Sequence, residues 1–352
     1  MSRLLDKKVR VLVVDDSALV RKILADGLGR DRDIEVIGTA ADPYRARDLI
    51  VELKPDVITL DVEMPRMDGV TFLKRLMPVL PTPTVMISSL TQSGKRISCE
   101  ALEAGAVDVI TKPSLGVADN LPAMLDDICV RVKAAASIDV SRLRRPAEIA
   151  PPPQATSLDE TTDRIIAIGA STGGVQALGR IMPAFGANAP GVVIVQHMPG
   201  GITASFAERL NSTCAMRIKE AEHGDRLLPG LALIAPGGPR HMAVTRSGGQ
   251  YRVILKEGPL VNYSRPAVDV LFRSVAEAAG KNAAAAILTG MGRDGAAGLA
   301  AIKAGGGSTF AQDEDSCIVF GMPKAAIDIG AAQQVAPLHM MPSLLVRAVA
   351  GR

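Results

Sequence analysis

Over residues 1–136, short apolar runs alternate with stretches whose apolar positions recur at helical spacing. The runs at 9–14, 34–39, 56–60, 84–87 and 107–111 are rich in Val, Ile and Leu, and predict strands. Between them, 17–29 carries Leu19, Ile23 and Leu28 on one helical face. Helices are also expected at 43–53, from Gly69 onward, at 94–104 and at 121–135. Five such βα units imply a doubly wound, five-stranded parallel sheet covered on both faces.

The pattern breaks at 137–162, where Arg-Arg-Pro, Pro-Pro-Pro and many Ser, Thr, Asp and Glu leave little periodicity. That composition predicts an extended, semi-rigid linker. The βα rhythm resumes at 163–352. A strand at 164–168 runs into the turn Gly-Ala-Ser-Thr-Gly-Gly at 169–174 and then a helix. A buried strand at 192–195 ends at Gln196-His197. Shorter runs at 231–234, 241–245 and 251–255 predict strands, the last two forming a hairpin through Gly248-Gly249. A helix at 267–279 leads to a strand at 284–288, a loop at 289–295 and another helix. The second half is therefore expected to be an α/β domain with a mostly parallel sheet plus an antiparallel hairpin. No internal repeat is evident.

Composition narrows the classes. The chain has 352 residues, 40 basic against 37 acidic, a net charge of +3 and 47% hydrophobic residues. It should fold, and it lacks the concentrated basic stripe of a nucleic-acid binder. The Arg-rich piece at 142–145 falls in the linker and reads as solvated chain. Cys99, Cys129, Cys214 and Cys317 are far apart in sequence and form no CxxC pair, so free thiols in a reducing cytosol are expected. The N-terminal stretch has charges where a signal peptide would be apolar, and no apolar run is long enough for a bilayer. A soluble cytoplasmic protein is the expectation.

Candidate chemistry clusters at strand ends. Asp15, Asp16 and Asp61 each end or follow a predicted strand, at the sheet edge where ligands of α/β folds bind. Three converging carboxylates repel one another unless a hard cation is present, and Mg²⁺ suits oxygen ligands. Ser88 and Lys112 end the next two strands and could hold phosphoryl oxygens. The set suits an aspartyl phosphate on Asp61. Any one strand-end Asp is more often a helix cap; five residues in this order on successive strands are not explained that way.

In the second half, Ser171 sits on a Gly-rich bend between strand and helix, where backbone N–H groups can face a developing oxyanion. The same bend could bind a phosphate or dinucleotide, although GASTGG is not GxGxxG. Of His197, His223, His241 and His339, only His197 follows a buried strand at the same edge as Ser171. The pattern places His241 at the start of a surface strand and His223 in a polar loop. Asp294 is the best-placed carboxylate to orient an imidazole, although taken alone it reads more readily as a cap for the helix after it; Asp269, Asp313 and Asp315 are weaker rivals.

The motifs together resemble a known family. Asp15-Asp16-Ser17, the run from Asp61 to Gly69, Ser88 and Lys112-Pro113 resemble response-regulator receivers. IGASTGG, QHMP, the SRPAVDVLF segment and TGMGRDGAAGL resemble the catalytic domain of chemotaxis protein-glutamate methylesterases. The resemblance covers essentially the whole chain. It implies phosphorylation of Asp61 by a histidine kinase, and Mg²⁺ held by Asp15, Asp16, Asp61 and the Glu63 carbonyl. It also implies a cis peptide before Pro113. Val109 stands where the family often has an aromatic switch residue. In the second domain the resemblance implies Ser171 as nucleophile, His197 as general base and acid, and Asp294 as orienter. The Met291 amide and the Thr172 turn are implied at the oxyanion site, with no cofactor there. Methyl-accepting chemotaxis receptors would be the substrate, demethylated at glutamates and more slowly deamidated at glutamines. An unphosphorylated receiver lying over the Ser171 edge would block that substrate. A monomer is expected. The rival reading is a receiver with a non-enzymatic nucleotide-binding output.

Overall fold

The computed structural model describes residues 7–88, 92–112, 121–138, 140 and 163–350. The chain divides into two compact units, Met1–Arg144 and Arg145–Arg352. The expected linker at 137–162, apart from 137, 138 and 140, and the peptide bond before Pro113 lie outside the described residues.

The first unit runs β1 (Val9–Val14), α1 (Ala18–Leu28), β2 (Ile34–Ala40), α2 (Pro43–Leu53), β3 (Val57–Asp61), α3 (Gly69–Val79), β4 (Thr84–Ser88), α4 (Gln92–Glu103), β5 (Asp108–Thr111) and α5 (Leu121–Ala136). All recorded strand pairs are parallel, in the order β2-β1-β3-β4-β5. Every residue of β3 and β4 is buried, in keeping with their mostly apolar sequence. The helices start where side chains can cap them. Ser17 accepts from the Val20 amide, Asp42 from the Tyr44 and Arg45 amides, and Asp68 from Thr71. The sequence order reverses between β1 and β3, and the crevice beyond their C-terminal ends is the topological switch point.

Gly69 holds that crevice in shape. Its amide donates to the Val62 carbonyl at 2.9 Å. A Cβ there would stand 2.0 Å from the Asp61 carbonyl oxygen. Gly69→Ala is therefore expected to destabilise the first unit by about 1–3 kcal/mol, as overpacking does. Urea unfolding followed by circular dichroism would show it as a lower midpoint for that unit's transition.

The second unit contains β6 (Ile165–Ala170), α6 (Gly174–Ile181), β7 (Gly191–Gln196), α7 (Ile202–Thr213), β8 (Arg217–Glu220), β9 (Leu231–Ile234), β10 (Arg240–Ser247), β11 (Gln250–Glu257), α8 (Val268–Ala279), β12 (Ala283–Ile287), α9 (Ala296–Ala304), β13 (Ser308–Gln312), α10 (Met322–Asp328), β14 (Gln334–Ala336) and α11 (Met341–Ala350). Seven strands form one sheet in the order β14-β13-β12-β6-β7-β9-β8, with every recorded pair parallel. Strands β10 and β11 form a separate antiparallel hairpin. The core joins Ile165, Val193 and Ala285 of the sheet with Leu271, Phe272 and Val275 of α8 and with Met242 and Val253 of the hairpin.

Three strands escape the apolar pattern. β8 reads Arg-Ile-Lys-Glu on one sheet edge and β14 is three residues long on the other. β13 reads Ser-Thr-Phe-Ala-Gln after three glycines, yet lies inside the sheet. His241 also departs from expectation. It is buried rather than on a surface strand: its Nδ1 accepts from the Ala267 amide at 3.2 Å, so Nε2 donates to the Pro259 carbonyl at 2.8 Å. The imidazole ties the hairpin to the segment leading into α8.

Candidate active site and acidic cluster

In the second sheet the switch point lies between β6 and β12. The ends of β12, β6 and β7 deliver the candidate residues to it. Ala170 pairs with Gln196, and the His197 amide donates to the Ala170 carbonyl at 3.0 Å. Ser171 and His197 therefore leave adjacent strands in step. On the other side the Ser171 amide donates to the Thr289 carbonyl at 3.1 Å, which ties the serine turn to the 289–295 loop. Thr289 Oγ1 donates to the Thr172 carbonyl at 3.0 Å. The Gln196 side-chain amide donates to the carbonyls of Ser171 and His197 at 2.8 and 3.0 Å.

The structure joins His197 and Asp294 directly. His197 Nε2 lies 2.8 Å from Asp294 Oδ2. That oxygen also accepts from the Val268 amide at 2.7 Å. The other, Oδ1, accepts from the Asp269 amide at 3.1 Å and from Asn262 Nδ2 at 3.0 Å. Four donors thus converge on one buried carboxylate. Burial alone would push its pKa up. The His197 hydrogen bond and positive charge, with the Asn262 and Val268 donors, outweigh burial and hold it below the usual value. Asp294 does not cap the helix after it: Gly295 occupies that N-cap position without a side-chain bond. Instead it caps α8 from across the fold, and the positive end of that helix favours its ionised form.

The approach of α8 depends on a glycine. A Cβ on Gly169 of β6 would stand 2.3 Å from the Val268 side chain, so α8 can begin against the sheet only where β6 has no side chain.

Because Nε2 serves the carboxylate as donor, Nδ1 is the ring atom left to accept a proton. In the structure it lies 3.5 Å from Ser264 Oγ, a contact too long to be a firm hydrogen bond. The Ser171 hydroxyl itself makes no hydrogen bond among the described residues. The expected line from hydroxyl to imidazole to carboxylate is thus present in its second link, and its first link places both residues on one edge without a bond. The Met291 and Thr172 amides have no acceptor among the described residues, and Met291 is partly exposed.

The rivals fall elsewhere. Asp269 accepts from Asn262 Nδ2 at 2.9 Å and from the Gly298 amide at 2.6 Å, and supports Asp294 rather than His197. Asp313 accepts from Ser316 in its own turn. His223 Nδ1 faces the Leu255 backbone. Asn262 was not legible as a site residue, because it lies in an irregular segment far from the three motifs; its left-handed backbone, φ 49°, is visible only in three dimensions.

In the first unit Asp15, Asp16 and Asp61 offer oxygens that all lie within 4.8 Å of one another. Lys112 Nζ lies 2.7 Å from Asp61 Oδ2 and 3.2 Å from Asp15 Oδ2. Asp61 Oδ1 accepts from the Glu63 amide at 3.2 Å. Ser98 donates to Ser88 Oγ at 3.0 Å at the end of β4. Val109 is buried on β5. Burial, and after it the neighbouring Asp15 charge, push the Asp61 carboxyl up to about 6 against the pull of Lys112. Burial likewise raises Asp15, whose Oδ2 has no hydrogen-bond partner despite the nearby ammonium. Asp15 and Asp61 are buried and Asp16 is exposed; with one Asp15 oxygen orphaned and the Lys112 ammonium beside them, these oxygens fit a divalent ion and suit Mg²⁺.

The first unit is thus an α/β domain with an acidic cluster at its switch point, and the second an α/β domain with Ser171, a His197–Asp294 pair and amides unpaired among the described residues at its own. Residues 11–125 match the response regulator receiver domain family, and residues 166–345 match the CheB methylesterase family. A curated relative from Syntrophotalea carbinolica, named protein-glutamate methylesterase/protein-glutamine glutaminase, is 55% identical over 344 residues, 97% of each chain. One from Cereibacter sphaeroides with that activity in its name is 55% identical over 349 residues, covering 99% of this chain and 94% of its own. The crystal structure of the Thermotoga maritima CheB methylesterase catalytic domain superposes with a TM-score of 0.51 at 41% identity, covering 52% of this chain and 97% of that one. The chain belongs to the family of the protein-glutamate methylesterases/protein-glutamine glutaminases that carry a receiver domain. No helix among the described residues is long and apolar enough to cross a membrane.

Proposed function

We propose that the second unit hydrolyses γ-methyl esters of glutamates on chemotaxis receptors, and more slowly deamidates receptor glutamines, under control of phosphorylation at Asp61. The observation that carries the hydrolytic reading is the 2.8 Å His197–Asp294 pair at the edge that also presents Ser171. Ser171 attacks the ester carbonyl while its proton passes to His197 Nδ1. Asp294 holds the ring so that Nε2 is the protonated nitrogen, and its charge stabilises the imidazolium that forms. The Met291 and Thr172 amides supply donors for the tetrahedral oxyanion. The proton on Nδ1 then passes to the departing methoxide, and methanol leaves. Water, deprotonated by the same nitrogen, releases the glutamate and restores Ser171. A glutamine amide follows the same course with ammonia leaving, and its poorer reactivity makes it the slower substrate. Methanol release from methyl-esterified receptors, compared between wild type and site variants, tests this.

In the first unit Asp15, Asp16, Asp61 and the Glu63 carbonyl would hold Mg²⁺. When bound, the ion supplies positive charge against the carboxylates and the phosphoryl oxygens. A carboxylate oxygen of Asp61 attacks the phosphorus of a kinase phosphohistidine, and the P–N bond breaks as the P–O bond forms. Lys112 and Ser88 then hold phosphoryl oxygens. The modification shifts the chain between a less and a more active state, and a coupling of about 1–3 kcal/mol changes activity roughly 5- to 150-fold. Asp61→Asn is accordingly expected to keep unstimulated activity and lose the increase on adding a small phosphodonor with Mg²⁺. Stimulation of that variant equal to wild type would remove Asp61 from the regulatory role. The cytoplasm is the compartment in which this substrate and donor would be met.

A further inference from the structure

Asn262 stands at φ 49°, a left-handed conformation that asparagine tolerates better than most residues. Its side-chain amide lies between two buried carboxylates. Nδ2 is 2.9 Å from Asp269 Oδ2 and 3.0 Å from Asp294 Oδ1. The two N–H bonds of one NH₂ group serve these two acceptors, one each. The amide cannot be turned over, because its carbonyl oxygen would then face both acids. Asp269 is itself fixed by the Gly298 amide at the start of α9, and its own amide donates to Asp294. Asn262 is therefore anchored on α8 and reaches the carboxylate that holds His197. Two residues further along, Ser264 Oγ approaches the other nitrogen of the same imidazole.

We infer that Asn262 is a positioning residue for the hydrolytic reaction: its amide fixes the rotamer of Asp294 and keeps Asp269 from repelling it, and so sets the orientation of His197. This rests on the assignment of Ser171, His197 and Asp294 given above. Without the amide, Asp294 keeps its helix donors but loses the neutral spacer towards Asp269. It can then rotate away from the line that holds Nε2. The titratable groups facing Asp294 are His197 after β7 and Asp269 on α8. An Asp294 that has lost the Asn262 hydrogen bond carries a less neutralised charge, which favours a positive imidazole beside it more strongly.

The test is Asn262→Gly in the full-length protein, since glycine accepts the left-handed backbone and removes only the amide. Methanol release from methyl-esterified receptors is followed against substrate concentration and pH, beside wild type and Ser171→Ala. The expected result is a kcat lower by about tenfold to a hundredfold, the loss of one hydrogen bond to a charged group. KM stays within about twofold, and the acidic limb of the kcat profile moves up by about one pH unit. A purely structural residue would change the amount of folded protein and leave the limb in place. Wild-type kcat with an unmoved limb, or a change confined to KM, overturns the inference. Retained activity in Ser171→Ala instead overturns the assignment beneath it. Should Asn262→Gly fail to fold, Asn262→Asp carries the test. It keeps the size and backbone tolerance but sets a third acceptor between two acids, so kcat is expected to fall at least as far; wild-type activity in that variant overturns the inference.

Discussion

Ser171→Ala is expected to lower methanol release from methyl-esterified receptors by about 10⁴-fold to 10⁶-fold, the loss seen when an acyl-transfer nucleophile is removed. The remaining oxyanion donors and the His197–Asp294 pair would support only slow attack by water. The same substitution should leave stability within about 0.5 kcal/mol. The Ser171 hydroxyl has no hydrogen-bond partner among the described residues, so removing it orphans nothing. The turn that holds it is kept by the Ser171 amide, which donates to the Thr289 carbonyl, and by the Ser171 carbonyl, which accepts from the Gln196 side chain; alanine preserves both. Activity and stability are thus predicted to separate cleanly, and thermal unfolding beside the kinetic assay reads both. A loss of less than tenfold would take Ser171 out of the reaction.

Asp294→Asn is expected to be nearly as damaging to turnover, by about 10⁴-fold, and also to weaken the fold. The carboxylate accepts from His197 and Val268 on one oxygen, and from Asn262 and Asp269 on the other. An asparagine presents one acceptor and one NH₂. Whichever way it turns, two buried donors face another donor, at about 1–3 kcal/mol for each unsatisfied group. If the amide nitrogen faces Nε2, that ring atom must become the acceptor. The proton then sits on Nδ1, the nitrogen that should receive it from Ser171. The pH dependence of stability carries the same signature. The folded pKa of Asp294 lies below its ordinary 3.8. Its ionised form therefore contributes stability above that ordinary value, and the contribution is lost as pH falls through the folded pKa. Asp294→Asn should remove this part of the acid destabilisation of the second unit, measurable by denaturant unfolding from about pH 5 down to about pH 2. An unchanged acid slope, with wild-type turnover, would mean that the four contacts do not act on an ionised group.

The central strands and the residues at their ends were legible because buried parallel strands are mostly apolar runs. Val57–Asp61 and Ile165–Ala170 are buried at every position, so their ends, and the Asp and Ser placed there, could be located within a residue or two. The strands that were missed, Arg217–Glu220, Ser308–Gln312 and Gln334–Ala336, carry polar residues at an edge or follow a glycine run, where periodicity gives no signal. His241 misled for a related reason. Its polar type suggested a surface, while two backbone partners satisfy both ring nitrogens inside the protein. The Ser, His and Asp of the site each ended a strand or lay in the loop after one. The second tier did not: Asn262 and Asp269 reach Asp294 through a left-handed loop and a helix start, contacts between segments with no shared local pattern. The rival reading of Asp294, as a cap for the helix after it, looked to the wrong helix. A helix cap is local by default, and here the acid caps a helix that begins 26 residues before it.

The central claim is that the ester carbonyl is transferred to Ser171 before water receives it, with His197 Nδ1 moving the proton. A glutamyl methyl ester and the seryl ester formed from it are of like reactivity, so the covalent adduct should accumulate during turnover. Rapid acid quenching of the full-length protein with a methyl-esterified receptor fragment, followed by peptide mass mapping, reads this directly. An added acyl mass on the peptide bearing Ser171, rising with the first equivalent of methanol and absent in His197→Ala, is the predicted result. Methanol released with the added mass on Ser264, or with no adduct at any quench time, would contradict it.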